Sequence, residues 1–342
     1  MRKRAAWTGA LIASAVAAGV LAAPAAQAAD GAGTFKHNAT APQKAASPKA
    51  KAKAKAMAAS KAKAAATQQR TAGKADARAL AESAAATTAT TATTAEAGDT
   101  LQPGQKLLPG EFIVSENAFL LMQEDGNLVI GHMSGADLWA TGTFGNDGAY
   151  AQFQADGNFV VYKKDGGEGK GGALWNSATW GNPNSRLTIQ EDGNVVLYRQ
   201  DNSPAWSSRT WRVGDNTLSA GENLDSGTWM DADQTALVMD ARGYFGVFEK
   251  FSEDVYMRGY TNTYSPGAYA RMQADGNFVI YKKGGGEGKG GALWNTATWG
   301  KPGARMTFER NSHLELRTAG GELLWDGETG DDQQPQPPTA TS

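Results

Sequence analysis

Gln154-Ala155-Asp156-Gly157-Asn158-Phe159-Val160-Val161-Tyr162 decides how this chain is read, because its pattern Gln-x-Asp-Gly-Asn-x-Val-x-Tyr comes back. It returns at Gln190, Asp192, Gly193, Asn194, Val196 and Tyr198, and again at Gln273, Asp275, Gly276, Asn277, Val279 and Tyr281. A fourth copy, Gln123, Asp125, Gly126, Asn127 and Val129, ends in Gly131 where the others have Tyr. Self-similarity of this kind dictates architecture and is read before anything else. Asp-Gly between apolar runs is a strong hairpin signal. Leu120 to Gln123 and Asn127 to Ile130 therefore predict two strands joined by a turn. Along such a strand, period two puts Asn158, Val160 and Tyr162 on one face and Phe159 and Val161 on the other. Phe159 and Val161 should pack inward, leaving the polar set, with Gln154 and Asp156, around an outer pocket.

Working outward, a longer duplication appears. Ala149 to Val160 matches Ala268 to Val279 at an offset of 119 residues, and the match continues from Gly166–Trp180 onto Gly285–Trp299. Earlier the offset is 117: Thr100-Leu101 aligns with Thr217-Leu218, and Asp137-Leu138-Trp139 with Asp254-Val255-Tyr256. Two tandem modules follow, 99–212 and 213–329. Each has an inner threefold rhythm. An apolar–aromatic pair trails each motif, as Leu138-Trp139, Leu174-Trp175 and Ala205-Trp206, then Val255-Tyr256, Leu293-Trp294 and Leu324-Trp325. One large ring from each third predicts a shared centre, since aromatic side chains bury large areas.

The repeated residues suit a sugar. A hexose presents hydroxyls that both donate and accept, over a weakly apolar ring. Asp accepts, Asn and Gln do both, and Tyr adds a phenolic hydroxyl. The pattern resembles the signature of the bulb-type (monocot) mannose-binding lectins, over residues 99–329. The resemblance implies an all-β fold: tandem type II β-prisms, each of three four-stranded sheets around a pseudo-threefold axis. It implies D-mannose or a mannose-like residue of a surface glycan as ligand. Asp156 and Asn158 would take the axial 2-hydroxyl, Gln154 the 3-hydroxyl and Tyr162 the 4-hydroxyl, with Val160 against the ring carbons. The same roles pass to Gln190, Asp192, Asn194, Val196 and Tyr198, and to Gln273, Asp275, Asn277, Val279 and Tyr281. At Gln123, Asp125, Asn127 and Val129 the pocket is weakened, because Gly131 supplies no hydroxyl. Asp240, Arg242, Tyr244, Gly246 and Phe248, and likewise Glu309, Asn311, His313, Glu315 and Arg317, lose the polar set. They read as structural relics, open to having acquired another ligand. Three competent sites out of six are expected.

The chain has no cysteine, which excludes disulfides, thiolate metal sites and cysteine nucleophiles. Many members of the resembled family carry a disulfide, so its absence is a departure that fits a bacterial member. The first 28 residues read as a signal peptide: Arg2, Lys3 and Arg4, an apolar run from Leu11 to Leu21, then Ala26-Gln27-Ala28 as a cleavage pattern. A secreted protein is expected, with no membrane span in the mature chain. Residues 1–98 hold 14 Lys+Arg against 4 Asp+Glu, while 99–342 hold 19 against 31. Residues 29–98 are rich in Ala, Lys and Thr and offer almost nothing to bury, so a disordered basic spacer is expected. Lys49 to Lys63 is also suited to an anionic cell-wall polymer. A disordered tail is expected at 330–342.

Other chemistries find little support. Gly166–Gly171 has Lys170 followed by Gly rather than Ser or Thr, so it is no phosphate loop. His37, His132 and His313 are scattered, with no metal-ligand spacing. No cofactor, metal, nucleic acid or catalytic role is expected. Three rival readings stay open: a lectin-like bacteriocin that kills related bacteria after binding a surface polysaccharide, an enzyme or enzyme-accessory module, and a wall-associated structural protein.

Overall fold

Residues 100–114 lace three sheets together. In the computed structural model, which describes residues 52–56, 98–249, 257–261 and 263–327, this stretch gives three short strands, β1 (Thr100–Leu101), β2 (Lys106–Leu107) and β3 (Phe112–Val114). Each becomes the edge of a different antiparallel sheet. β3 joins β4 (Ala118–Met122), β5 (Leu128–His132) and β6 (Asp137–Ala140) as sheet I. β2 joins β7 (Tyr150–Phe153), β8 (Phe159–Gly167) and β9 (Gly171–Asn176) as sheet II. β1 joins β10 (Arg186–Ile189), β11 (Val195–Tyr198) and β12 (Pro204–Ser207) as sheet III.

The second half repeats this plan. β13 (Thr217–Leu218), β14 (Asn223–Leu224) and β15 (Trp229–Ala232) start three more sheets. Sheet IV is β15, β16 (Thr235–Met239), β17 (Phe245–Glu249) and β18 (Met257–Thr261). Sheet V is β14, β19 (Tyr269–Met272), β20 (Phe278–Gly286) and β21 (Gly290–Asn295). Sheet VI is β13, β22 (Arg305–Phe308), β23 (Leu314–Arg317) and β24 (Leu323–Asp326). Among the described residues no sheet mixes strands from the two halves, and each set of three sheets forms a β-prism.

Alternation decides what each sheet buries. Phe153, Phe159, Val161, Leu187, Ile189, Val195 and Leu197 all face the first prism's core. Trp139, Trp175 and Trp206 meet there edge to face, with centroids 5.3, 5.8 and 5.8 Å apart. Such T-shaped contacts are a favoured aromatic geometry. Trp294 and Trp325 make the same contact at 5.7 Å in the second prism; Tyr256, expected as its third ring, lies outside the described residues.

The prisms share one core cluster. Sheet IV buries Met230, Leu237, Met239, Phe245 and Val247 into its own prism. Its opposite face, Trp229, Ala236, Val238 and Phe248, belongs to the first prism's cluster. Trp229 is fully buried; its ring lies 4.4 Å from that of His132 and its Nε1 donates to the Asp192 carbonyl at 3.2 Å.

Of the expected spacer, residues 52–56 and 98 are among the described residues. Residues 52–56 form a helical turn, and Ala54 is 1% exposed in a cluster with Val114, Phe119, Leu121, Val129 and Met133 of the first prism. Composition correctly said that Ala and Lys bury little; it could not say that one Ala side chain would find a seat. The expected signal peptide (1–28), the rest of the 29–98 segment below residue 98, and the tail at 330–342 lie outside the described residues. Among the described residues no helix is long and apolar enough to cross a membrane.

Candidate functional site

Each intact motif folds into one hairpin turn. Gln154 N–H donates to the Asn158 carbonyl at 2.8 Å, and Gly157 N–H to the Gln154 carbonyl at 3.1 Å. Asp156 Oδ1 accepts the Asn158 N–H at 2.9 Å, an Asx-type bond that sets the turn locally. Gly157 has φ +88°, and a Cβ there would sit 2.1 Å from the Asn182 carbonyl oxygen. Only glycine meets both demands. Part of the Asp-Gly-Asn signal is thus scaffolding, and the remaining polar atoms are available to a ligand.

Those atoms are held in place. Gln154 Nε2 donates to the Tyr162 hydroxyl at 3.0 Å, across an outer face floored by Val160. Asn158 Oδ1 accepts from Ser177 Oγ and the Thr179 N–H, both at 3.2 Å. That fixes which way the amide points and leaves Nδ2 as the outward donor. Thr179 Oγ1 in turn donates to the Gly157 carbonyl at 2.7 Å. Gln154, Asn158, Val160 and Tyr162 are buried, while Asp156 is exposed at the rim.

The other two intact copies have the same wiring. Gln190 Nε2 reaches the Tyr198 hydroxyl at 2.8 Å and Gln273 Nε2 reaches that of Tyr281 at 2.6 Å. Asp192 and Asp275 each accept the N–H of their Asn, Asn194 and Asn277, at 2.9 and 3.0 Å. Asn194 Oδ1 takes Ser207 Oγ, Ser208 Oγ and the Arg209 N–H; Asn277 Oδ1 takes Thr296 Oγ1 and the Thr298 N–H. Val196 and Val279 are the buried floors. The partners across the strands differ. Tyr150 packs beside Tyr162 at 5.8 Å and Tyr269 stacks on Tyr281 at 5.7 Å, whereas Arg186 lies 4.8 Å over the Tyr198 ring. Burial raises the pKa of all three motif tyrosines; Glu168 adds to this at Tyr162 and Glu287 at Tyr281, while the bond from the glutamine opposes it at Tyr162 and Tyr198. The hydroxyls therefore stay protonated at neutral pH and can donate.

The Ser/Thr brace was not singled out in the sequence, although a signal was present. Thr141-x-Thr143, Ser177-x-Thr179, Ser208-x-Thr210, Thr261-x-Thr263 and Thr296-x-Thr298 follow the first five thirds, and the sixth has Gly327-Glu328-Thr329 instead.

The other three positions depart in different ways. In sheet I the turn is intact: Asn127 N–H donates to Asp125 Oδ1 at 2.9 Å, and Asn127 Oδ1 accepts from Thr141 Oγ1 and the Thr143 N–H. Gln123 closes the turn, its N–H donating to the Asn127 carbonyl at 2.9 Å. But Phe119, cross-strand from Gly131, fills the tyrosine's place: a Cβ on Gly131 would lie 2.3 Å from Phe119 Cζ. In sheet IV the structure replaces the relic reading with a specific role. Asp240, fully buried, accepts Arg242 Nε and a terminal guanidinium nitrogen at 2.9 and 2.7 Å, and the Asp137 N–H of the first prism at 3.1 Å. Ala241 N–H returns a bond to the Asp137 carbonyl at 2.8 Å. This motif ties the prisms together. Its Asp240 carboxylate, with Asp137 beyond, pushes the Arg242 pKa up against the opposing effect of burial. In sheet VI, Glu315 and Arg317 pair at 2.8 Å where a valine and a tyrosine stand elsewhere.

Among the described residues no group of three or more His, Asp or Glu could hold a metal ion. No protein-family model matches the chain, and no curated protein does. Among solved structures, the chain is similar to monomeric monocot mannose-binding lectins from Gastrodia elata, at 32% identity, TM-score 0.30, over 33% of this chain and 96% of that one. It is similar to the mannose-specific agglutinin of snowdrop (Galanthus nivalis) bulbs, at 34% identity, TM-score 0.27, over 31% and 94%. A two-domain fetuin-binding agglutinin of Scilla campanulata aligns over 67% of this chain and 99% of its own, at 22% identity and TM-score 0.26.

Proposed function

We propose that this chain is an exported, non-enzymatic lectin that binds mannose or a mannose-like residue of a surface glycan. The sites are Gln154, Asp156, Asn158, Val160 and Tyr162; Gln190, Asp192, Asn194, Val196 and Tyr198; and Gln273, Asp275, Asn277, Val279 and Tyr281. The observation that carries the proposal is the shared wiring: in all three, Gln donates to Tyr and the Asn amide is braced through Oδ1. A ligand meets an outward Asn Nδ2, an aspartate carboxylate, a hydroxyl that donates, and an apolar valine floor. That set satisfies adjacent hydroxyls of a sugar ring while a small apolar patch takes its carbons. On the roles carried over from the resembled family, Asp and Asn together read the axial 2-hydroxyl, which glucose lacks.

One such site should bind weakly, on the order of millimolar, or about −4 kcal/mol. Three on one chain can raise apparent affinity for a glycan-coated surface by about 10² or more. The deciding experiment is binding of the full chain to a glycan array and to mannan, repeated with Asn158→Ala, Asn194→Ala and Asn277→Ala combined. Mannose-rich signal that disappears in the folded triple variant supports the reading. A signal indifferent to the three changes would sink it, and so would a native chain that prefers glucose.

A further inference from the structure

The outer face of sheet I corresponds to the sugar face of sheet II, but its chemistry is different. Val114, Phe119, Leu121, Val129 and Met133 are all at most 4% exposed there. The cross-strand pair that is Tyr150 and Tyr162 in sheet II is Phe119 and Gly131 here. One ring, with no hydroxyl, reaches across to Gly131, where two tyrosines share the space in sheet II. The equivalent pair in sheet IV, Ala236 and Phe248, is also one ring opposite a small residue, and that face is covered by protein. Among the described residues, what reaches the outer face of sheet I is the helical turn at 52–56, through Ala54.

We propose that the outer face of sheet I has been converted from a sugar pocket into a docking seat for a helix, and that its occupant is this chain's own Ala/Lys stretch around residues 52–56. The fit is steric and electrostatic. Alanine is small enough for a helix backbone to approach the Phe119 ring closely, and it is a strong helix former. Ala52, Lys55 and Ala56 stay exposed while Ala54 turns inward. The basic stretch belongs to residues 1–98, with 14 Lys+Arg against 4 Asp+Glu, and residues 99–342, which hold the prisms, have the opposite imbalance, 19 against 31. Long-range attraction therefore favours the contact that Ala54 completes. The seat pins the basic segment to the first prism and hides an apolar patch that would otherwise invite association. It does not depend on sugar binding at the other sheets.

The test is limited trypsin digestion of the full chain, following cleavage after Lys53 and Lys55 by mass spectrometry. Cleavage of a docked segment tracks the population of its open form. Ala54→Asp puts a carboxylate among Val, Phe, Leu and Met without a partner, which strongly disfavours the docked form. Cleavage after both lysines should accelerate about tenfold or more, with tryptophan fluorescence unchanged. Val129→Ala trims the seat from the other side and should accelerate cleavage by a smaller factor. Native rates in Ala54→Asp would overturn the proposal. Acceleration in Ala54→Asp with native rates in Val129→Ala would place the turn elsewhere and overturn the assignment of this face.

Discussion

Sheets I and IV differ from sheets II, III and V in what stands across one strand pair. The sugar-type faces keep a tyrosine at the motif's end, opposite Tyr150, Arg186 or Tyr269. The covered faces keep a single phenylalanine, on one strand in sheet I and on the other in sheet IV. The hairpin turn survives in both classes, since Gln123 N–H donates to the Asn127 carbonyl at 2.9 Å and Asp240 N–H to the Tyr244 carbonyl at 2.8 Å. The turn therefore belongs to the fold, and the ring pair decides whether the face presents hydroxyl-matching groups or a dry surface for protein. Within each prism the sheet with the single phenylalanine is the one that contains the third short strand, so the feature recurs at the same structural position.

The largest effect is expected of Trp229→Ala. The ring is fully buried between the prisms, and truncating such a residue typically costs about 3–5 kcal/mol. Denaturant unfolding should show that loss. Because Trp229 Nε1 holds the Asp192 carbonyl, the Asn194 site should weaken more than the Asn158 site. Equal weakening of both would mean that the interface does not support sheet III. Asp240→Ala is the milder version. It removes a buried acceptor from the Asp137 N–H and strands Arg242, whose side chain is 45% exposed and can turn to water. A loss of about 1–3 kcal/mol is expected, with the mannan affinity of sheets II and V unchanged. A neutral result would show that the apolar face alone joins the prisms.

The hairpins that end in tyrosine were far more legible in the sequence than the covered faces, for a physical reason. A hairpin motif is local, so Gln154 to Tyr162 carries its turn, its alternation and its polar set within nine residues. Phe159 and Val161 do face the core, and the three tryptophans of the first prism do meet. The brace on Asn158 comes from Ser177 and Thr179, 19 and 21 positions on, and escapes a nine-residue window. The Asp137–Asp240 bond spans 103 positions. In sheet IV, degenerate letters reported which hydroxyls were lost and could not report that a second prism had arrived. Ala54 is the extreme case, because Ala50, Ala52 and Ala54 all stand between two lysines, and only the shape of sheet I distinguishes one of them.

The smallest effect expected concerns pH and sharpens the role of the tyrosines. Tyr162, Tyr198 and Tyr281 have folded-state pKa values raised above 10.0, chiefly by burial. A raised pKa means that the neutral hydroxyl persists to higher pH than in the unfolded chain, and any stabilisation it gives is lost only as pH climbs through the folded value. A sugar hydroxyl that accepts from the tyrosine reinforces the neutral form further. Isothermal titration with methyl mannoside at pH 7.0 and pH 9.5 should therefore give affinities within about twofold of each other, because the tyrosines are protonated at both. A steep fall by pH 9.5 would mean that the tyrosine proton is held less firmly than its burial implies, and would contradict the upward shift assigned to these hydroxyls.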